Sequence, residues 1–119
     1  HNPDYSDGGQ LRDFLWVVDC AALVMWLLDP PGANGLYNVG TGTARSFQDL
    51  AAAVFHALGR APAIDYVDTP LAIRDKYQYF TEARMQRLRA AGYTKPFTAL
   101  EDGIANYVRD YLETVDPYR

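Results

Sequence analysis

Arg12 is the residue of this sequence whose surroundings best suit recognition of a charged ligand. It follows the polar loop Tyr5-Ser6-Asp7-Gly8-Gly9-Gln10 and lies at the start of an apolar run. A guanidinium binds two phosphate oxygens at once, and a glycine-containing loop offers free backbone N–H groups. This combination predicts contact with a phosphate or diphosphate. A salt bridge from Arg12 to Asp13 or to a helix C-terminus explains the same residues equally well.

A second candidate is the charged and aromatic segment Arg74-Asp75-Lys76-Tyr77-Gln78-Tyr79-Phe80. Tyrosines beside basic residues in an irregular segment suit a sugar or a nucleotide, because the ring stacks on the ligand while the hydroxyl forms hydrogen bonds. Packing of one of the two tyrosines in the core is an equal alternative.

The third candidate is Gly40-Thr41-Gly42, which lies between a predicted strand and a predicted helix, where backbone N–H groups can bind phosphate. Asp65 and Asp68 follow where a ribose-binding acid would lie in a dinucleotide fold. The third glycine of that fingerprint is absent, because Arg45 occupies its place. The sequence therefore favours a chain reversal here over direct contact with a ligand.

Catalytic and metal-binding machinery is largely absent from the sequence. His56 has no Ser or Cys partner at local spacing, which favours a solvated surface histidine. His1, His56 and Cys20 are too few and too scattered for a zinc site. Nothing indicates the raised carboxyl pKa that paired-carboxylate catalysis needs among the acids near the N-terminus. We therefore predict no catalytic residue and no metal site.

The composition limits the chain to one globular domain. It has 119 residues, 49% of them hydrophobic, and a single cysteine, Cys20, so no disulfide can form within it. We expect a reducing, cytoplasmic setting for that reason. The net charge of −4 argues against nucleic-acid binding, because the phosphate backbone selects basic surfaces. The apolar run over residues 14–28 is too short to span a membrane and is interrupted by Asp19.

The apolar run divides into a strand and a helix. Its β-branched and aromatic start predicts a strand over Phe14–Val18, and Asp19 is the predicted N-cap of the helix that follows. That helix is apolar on every side, so we expect it to be buried all round. Pro30-Pro31-Gly32 then ends it.

A β-α-β unit is predicted over residues 36–67. Leu36–Val39 is its first strand and Ala63–Val67 its second. Between them, Ser46 and Asp49 have the spacing of a capping box, and Gly59 ends the helix. Two strands joined through a helix are most simply parallel neighbours.

The last third of the chain is predicted to be helical. A short turn begins at Thr69-Pro70-Leu71, and a helix runs from its cap at Thr81 to Ala91, with Gly92 ending it. Thr98-Ala99-Leu100-Glu101 has the pattern of a capping box and precedes an apolar stripe that reaches Leu112.

Taken in order, three of these segments resemble one family. They are Arg12-Asp13-Phe14-x-Trp16-Val17-x-Asp19, Gly35-Leu36-Tyr37-Asn38-Val39-Gly40-Thr41-Gly42 and Ser46-Phe47-x-Asp49-Leu50. They resemble the C-terminal half of the extended short-chain dehydrogenase/reductases, the NAD-dependent epimerase/dehydratase family that acts on nucleotide sugars. The resemblance implies an α/β fold, the C-terminal substrate-binding lobe of such an enzyme. This lobe has a small sheet with a β-α-β unit and a helical C-terminal third, and the Rossmann half is absent.

The segment from Arg74 to Ala83, followed by Leu88–Tyr93 and Lys95-Pro96-Phe97, narrows the resemblance. It is similar to family members that epimerise ADP-heptose at C6 through transient oxidation, an isomerase reaction of lipopolysaccharide inner-core synthesis. By resemblance, Tyr5, Ser6, Asp7 and Gly8 contact the ADP-sugar, Arg12 contacts its diphosphate and Tyr77 contacts the substrate. The resemblance also implies ADP-heptose as substrate, NADP as cofactor, a cytoplasmic location and a homo-oligomer.

The sequence also departs from this family. Its members use a Tyr-x-x-x-Lys pair for proton transfer, and neither Lys76 nor Lys95 follows a tyrosine at that spacing. The N-terminal glycine fingerprint for NADP is missing, and the first residue is His1 rather than Met. We therefore expect residues 1–119 to be a single C-terminal substrate-binding domain fragment. Its N-terminal NADP-binding domain is missing, and alone it binds no cofactor and is inactive.

Two alternatives stay open. One is the equivalent lobe of another nucleotide-sugar enzyme, such as a UDP-hexose 4-epimerase or a dTDP-sugar dehydratase. The other is a non-catalytic binding module, which would follow if the chain were complete.

Overall fold

The computed structural model describes residues 2–29 and 34–116, which form two short strands and five α-helices. In chain order these are β1 (Leu11–Arg12), α1 (Val17–Leu28), β2 (Arg45–Ser46), α2 (Phe47–Ala57), α3 (Leu71–Arg74), α4 (Gln86–Ala90) and α5 (Leu100–Tyr107), with a π-helical turn over Val108–Leu112. A small α/β unit with a helical C-terminal third is thus confirmed. None of the helices in these two ranges has the length and apolar character needed to cross a membrane.

The sheet is small and antiparallel. Leu11 pairs with Ser46, and Arg12 pairs with Arg45. A third segment joins it through an isolated parallel bridge between Leu11 and Phe80. Two segments from later in the sequence, β2 and the residues around Phe80, are therefore brought to β1, which carries Arg12.

The predicted β-α-β unit is wrong. Residues 36–39 and 63–67 form no ladder within the described chain, and α2 follows directly from the antiparallel strand β2. Leu36 is 81% exposed and Val67 is 89% exposed. A strand needs a neighbouring backbone to receive its hydrogen bonds, and within the described ranges neither segment has one, although Tyr37 packs against the core.

The predicted strand Phe14–Val18 is also wrong, because α1 begins at Val17. Asp19 is not the N-cap but lies in the first turn, where a carboxylate faces the positive end of the helix dipole. Its carboxylate accepts the Thr98 N–H at 2.6 Å and is almost fully buried. The acid is thus used in a long-range contact rather than in a local cap.

Helix α1 is covered on one side only, so the prediction of burial all round is wrong. Leu23 is 1% exposed and packs in the core. The opposite side presents exposed apolar side chains at Val17, Val18, Val24, Met25 and Leu28. The described residues place no element over this face. Pro30-Pro31-Gly32, predicted to end the helix, lies outside the described residues.

The predicted start and end of α2 are confirmed. The Ser46 hydroxyl accepts the Asp49 N–H at 2.9 Å, and the Asp49 carboxylate accepts the Ser46 N–H at 3.1 Å. Gly59 follows the helix with φ of +64°, a conformation that glycine adopts without strain. The helix packs against α5.

The last third is helical with different boundaries. Thr81 does not cap a helix, because its N–H donates to the Leu11 carbonyl, and α4 begins only at Gln86. The capping box at Thr98 is wrong as well. The N-cap of α5 is Ala99, without a side-chain bond, and Glu101 instead pairs with Arg45. Thr69 makes no side-chain cap to α3, although Pro70 does precede that helix.

The main core lies between α1 and α4. Leu23, Leu88 and Tyr93 are its buried members. The side chains packed around them are those of Trp26, Leu27, Tyr37, Met85 and Phe97. Tyr93 contacts Trp26 and Phe97 with ring centres 5.2 and 5.7 Å apart. The aromatic residues of the sequence therefore form much of the core.

Candidate functional site

Arg12 lies between two aromatic rings at the end of β1. Its Cζ is 5.2 Å from the centre of the Tyr77 ring and 5.8 Å from that of Phe47, distances at which a cation is attracted to the ring face. Nη1 donates to the Leu11 carbonyl at 2.8 Å, and Nη2 donates to the Gln78 carbonyl. The guanidinium is thus held in one orientation by two rings and two carbonyls.

The rings around Arg12 continue into a row of tyrosines. Tyr77 and Tyr79 meet edge to face with centres 5.3 Å apart, and Tyr79 meets Tyr5 at 5.3 Å. We call Tyr5, Tyr79, Tyr77, Arg12 and Phe47 the aromatic cluster. The structure therefore brings together three of the predicted site residues, Tyr5, Arg12 and Tyr77.

Sequence reasoning included Tyr79 in the candidate segment Arg74–Phe80, with core packing of one of its two tyrosines as an equal alternative, and assigned no role to Phe47. The available signal was alternation: in an extended segment, residues two apart share one side, so Tyr77 and Tyr79 are expected on the same side. Phe47 is the first residue of α2, and only the antiparallel pairing of β2 with β1 brings it beside Arg12.

The rest of the predicted loop lies beside the cluster rather than in it. The Ser6 carbonyl accepts the Gly9 N–H at 2.9 Å, which closes a tight turn. Asp7 and Gly8 line a small cleft together with Tyr66, Asp68 and Arg74. The Gly8 carbonyl accepts the Gln48 N–H at 3.0 Å, so the loop is tied to α2.

Gly8 has to be a glycine in this loop. Its φ is +71°, and a Cβ there would lie 2.8 Å from the Tyr66 ring. The left-handed conformation and the close ring together exclude a larger residue. Only glycine therefore allows the backbone conformation of this turn, which precedes β1 and faces the cleft.

Asp13 does not pair with Arg12, although a salt bridge was one interpretation of the sequence. Its Oδ1 accepts the Thr41 N–H at 2.7 Å and the Thr41 hydroxyl at 2.5 Å. Its Oδ2 accepts the N–H groups of Gly42 at 2.9 Å and Ala83 at 3.0 Å. Within the described ranges 2–29 and 34–116, Arg12 forms no ion pair.

The Asp13 carboxylate behaves as an internal anion. Partial burial raises its pKa, but hydrogen bonds from the Thr41 hydroxyl and from the N–H groups of Ala83, Thr41 and Gly42 outweigh that effect and hold the pKa below its usual range. Gly40 packs directly against it, since a Cβ there would lie 2.4 Å from Asp13 Oδ2. The chain thus needs both the acid and the small residue at this point.

The hydrogen bonds of Asp13 show how Gly40-Thr41-Gly42, the third candidate site of the sequence, is used. The N–H groups of Thr41 and Gly42 donate to Asp13, so they do not face outward toward a phosphate. The prediction that Gly40-Thr41-Gly42 serves the chain's own fold is consistent with this arrangement. These residues do not fit the diphosphate of a dinucleotide such as NADP, because the donors that would bind it are in use.

Arg45 joins three elements through two carboxylates. Its guanidinium contacts Glu101 of α5 at 2.6 Å and Asp49 of α2 at 3.2 Å. The hydrogen bond from Arg45 lowers the pKa of Glu101 and raises that of Arg45. Arg45 is therefore a structural residue, which explains why an arginine stands where a dinucleotide fold has a glycine.

The histidine and the possible metal ligands of the sequence are the remaining candidates for chemistry. His56 is exposed on α2, as predicted for a surface histidine. Among residues 2–29 and 34–116, no three His, Cys, Asp or Glu side chains are grouped so that they could hold a metal ion. His1 lies outside these ranges.

Several known proteins are similar to nearly the whole chain. ADP-L-glycero-D-manno-heptose-6-epimerase of Nitratidesulfovibrio vulgaris strain DP4 is 56% identical over 117 residues, which is 98% of this chain and 36% of that protein. Proteins of the same name from Fusobacterium nucleatum and Alkalilimnicola ehrlichii are 40% and 44% identical, over 96% and 87% of the chain. No family model matches the chain.

These similarities confirm the resemblance that the sequence motifs predicted. The chain spans about a third of the length of the curated relatives it matches, 36% in two of these three cases and 32% in the third. The aromatic cluster thus lies in a chain that is similar to one part of a heptose epimerase.

Proposed function

We propose that this chain is the C-terminal, substrate-binding portion of an ADP-L-glycero-D-manno-heptose 6-epimerase. The observation that supports this most is the orientation of Arg12, which is held between Tyr77 and Phe47 in a chain 56% identical to a protein of that name. A stacked and oriented guanidinium is suited to a diphosphate, because little side-chain freedom is lost when the anion binds.

In this proposal, Arg12 binds the diphosphate of ADP-heptose. A guanidinium has five N–H donors, and the carbonyls of Leu11 and Gln78 accept from two of its nitrogens. N–H groups thus remain for phosphate oxygens. Tyr77, beside the guanidinium, contacts the sugar or nucleotide, and the loop from Tyr5 through Ser6 and Asp7 to Gly8 forms the adjoining wall.

The proposed reaction of the complete enzyme is epimerisation at C6 of the heptose through transient oxidation. NADP supplies the hydride chemistry and is held outside the residues of this chain, whose own glycine loop is closed by Asp13. The part of the reaction assigned to this chain is binding: it orients the ADP-sugar through its diphosphate. The wider setting we propose is a cytoplasmic homo-oligomer that serves lipopolysaccharide synthesis.

The first test is activity of the 119 residues alone. We expect no conversion of ADP-heptose when NADP is added, because binding of a sugar without a bound hydride carrier gives no epimerisation. Conversion can be followed by separating the two C6 epimers. Turnover by the chain alone would contradict the proposal, and so would tighter binding of a UDP-hexose than of ADP-heptose.

Replacing Arg12 by alanine tests the binding site directly. In the complete epimerase that carries this chain, we expect Arg12→Ala to raise KM for ADP-heptose about tenfold to a hundredfold, since a charge-assisted hydrogen-bonded contact contributes about 1.5–3 kcal/mol. Arg12→Lys should recover only part of the loss, because an ammonium ion cannot bind two oxygens in parallel.

Arg109→Ala is the matched control for this change. Arg109 is an exposed arginine paired with its neighbour Asp110 at 2.6 Å and is on the π-helical turn. Its removal should leave KM within about twofold, as for most exposed pairs. Equal KM values for the Arg12→Ala and Arg109→Ala enzymes would exclude Arg12 from the diphosphate site.

A further inference from the structure

We propose that Tyr79 is a positioning residue that connects the Tyr5–Gly8 loop to the Arg12 and Tyr77 side chains. These are the two halves of the proposed binding site, and the Tyr79 ring makes them one rigid unit. This inference rests on the proposed function. Side-chain chemistry named Tyr79 only as one of two candidate tyrosines, and the family resemblance assigned it no contact.

The geometry places Tyr79 between the two halves. Its ring lies 5.3 Å from that of Tyr5 at an angle of 34°, and 5.3 Å from that of Tyr77 at 78°. Tyr77 in turn lies against the Arg12 guanidinium. Among the described residues, Tyr79 is the one whose ring contacts both the loop and the partner of Arg12.

The backbone at Tyr79 is held independently of its side chain. The Tyr79 carbonyl accepts the Leu11 N–H at 2.8 Å, and the Thr81 N–H donates to the Leu11 carbonyl at 3.1 Å. The neighbouring Gln78 carbonyl accepts from Arg12. Removing the ring should therefore leave this segment beside β1 and change only the ring contacts.

The three tyrosine side chains are partly exposed, so they are neither free in solvent nor locked in the core. The edge-to-face contact between Tyr77 and Tyr79 and the tilted contact between Tyr5 and Tyr79 restrict the plane of each ring relative to the next. Without Tyr79, the rings of Tyr5 and Tyr77 regain rotational freedom that binding must remove. Ordering two side chains on binding weakens the affinity by about tenfold.

The test uses the complete epimerase that carries this chain, with ADP as the probe in equilibrium binding and ADP-heptose in kinetics. We expect Tyr79→Leu to raise Kd for ADP and KM for ADP-heptose about tenfold, with kcat unchanged within about twofold. Tyr79→Phe keeps the ring and should stay within about twofold of wild type in all three.

Tyr111→Leu is the control for loss of an aromatic ring elsewhere. Tyr111 stacks on Tyr107 with centres 5.5 Å apart, on the π-helical turn. It should change neither Kd nor KM by more than about twofold. A merely structural role for Tyr79 would lower the melting temperature and the active fraction while leaving Kd of the folded enzyme unchanged.

A double-mutant cycle gives the decisive result. If Tyr79 couples the two halves, Tyr5→Leu and Tyr77→Leu have non-additive effects on Kd for ADP in the wild-type background and additive effects in the Tyr79→Leu background. Additive effects in both backgrounds would overturn the inference. If Tyr79→Leu does not fold, additive effects of Tyr5→Leu and Tyr77→Leu on Kd in the otherwise wild-type enzyme overturn the inference by themselves.

The outcomes separate this inference from the proposed function. If Arg12→Ala weakens ADP binding and Tyr79→Leu does not, the binding site stands and the positioning role is wrong. If Arg12→Ala has no effect on ADP binding, the proposed function fails first, and the inference fails with it.

Discussion

Asp13→Asn is expected to lower the free energy of unfolding of this chain by about 2 kcal/mol at pH 7. The carboxylate accepts four hydrogen bonds, two on each oxygen, from Thr41, Gly42 and Ala83. Asparagine has the same size but only one acceptor oxygen, so its NH₂ group would face two N–H donors. Those donors then lose their partner in a partly buried place, where water restores only part of the energy.

The loss of stability caused by Asp13→Asn should depend on pH in a defined direction. The pKa of Asp13 is held below its ordinary value of 3.8 in the folded chain. The folded state therefore binds fewer protons than the unfolded state, and the stabilisation is complete above pH 3.8 and is lost as the pH falls through the lower folded pKa. The difference in stability between wild type and Asp13→Asn should narrow below about pH 4.

Urea unfolding followed by circular dichroism measures both parts of this prediction. Asp49 and Glu101 also have lowered pKa values, but they are present in both proteins and their effects cancel. Asp110→Asn is the control, because this acid is exposed and paired with the adjacent Arg109. If the free energies of unfolding of wild type and Asp13→Asn differ by a constant amount from pH 7 to pH 3, the carboxylate charge is not what stabilises the contact.

Leu88→Ala is expected to destabilise the chain by about 3 kcal/mol, the second large effect. Leu88 is 0% exposed and lies between Leu23 and Tyr93, with Trp26 and Phe97 around them. Removing most of its side chain leaves a cavity whose aromatic walls cannot collapse freely. The described chain has few fully buried apolar side chains, so one such cavity weakens a large fraction of the core.

Leu36→Ala provides the comparison for that variant. The same atoms are deleted from a side chain that is 81% exposed. The free energy of unfolding should therefore change by no more than about 0.5 kcal/mol. Chemical denaturation of both variants under the same conditions gives the two values. Similar midpoints for Leu88→Ala and Leu36→Ala would mean that the α1–α4 core does not support the fold.

Much of the candidate site could be predicted from the sequence. Arg12, Tyr77 and Tyr5 were expected from their side-chain chemistry and from the family resemblance, and the structure places them in one cluster. The roles of Ser6, Asp7 and Gly8 stay predictions. Phe47 could not be assigned, and for Tyr79 ligand contact could not be separated from core packing. Their places beside Arg12 and Tyr77 depend on the pairing of β1 with segments that lie 33 or more residues further along the chain.

The sequence by itself determined the elements whose signals are local. Helix α2 begins at Ser46 because Asp49 lies three residues on and can complete the capping box, and it ends before Gly59, which adopts positive φ without strain. Both signals act within one turn of helix, so no distant residue is needed to read them.

Only the tertiary structure decided where the chain's isolated acids and strand-like segments are used. Asp13 was compatible with a bond to Arg12 but instead accepts N–H groups from residues 41, 42 and 83, and Asp19 reaches Thr98 rather than capping α1. Within the part of the chain that the structure describes, the strand-like residues 36–39 and 63–67 form no ladder. The physical reason is the same throughout: a carboxylate or a strand is stabilised by whichever donors or backbone come within reach, and that depends on the whole fold.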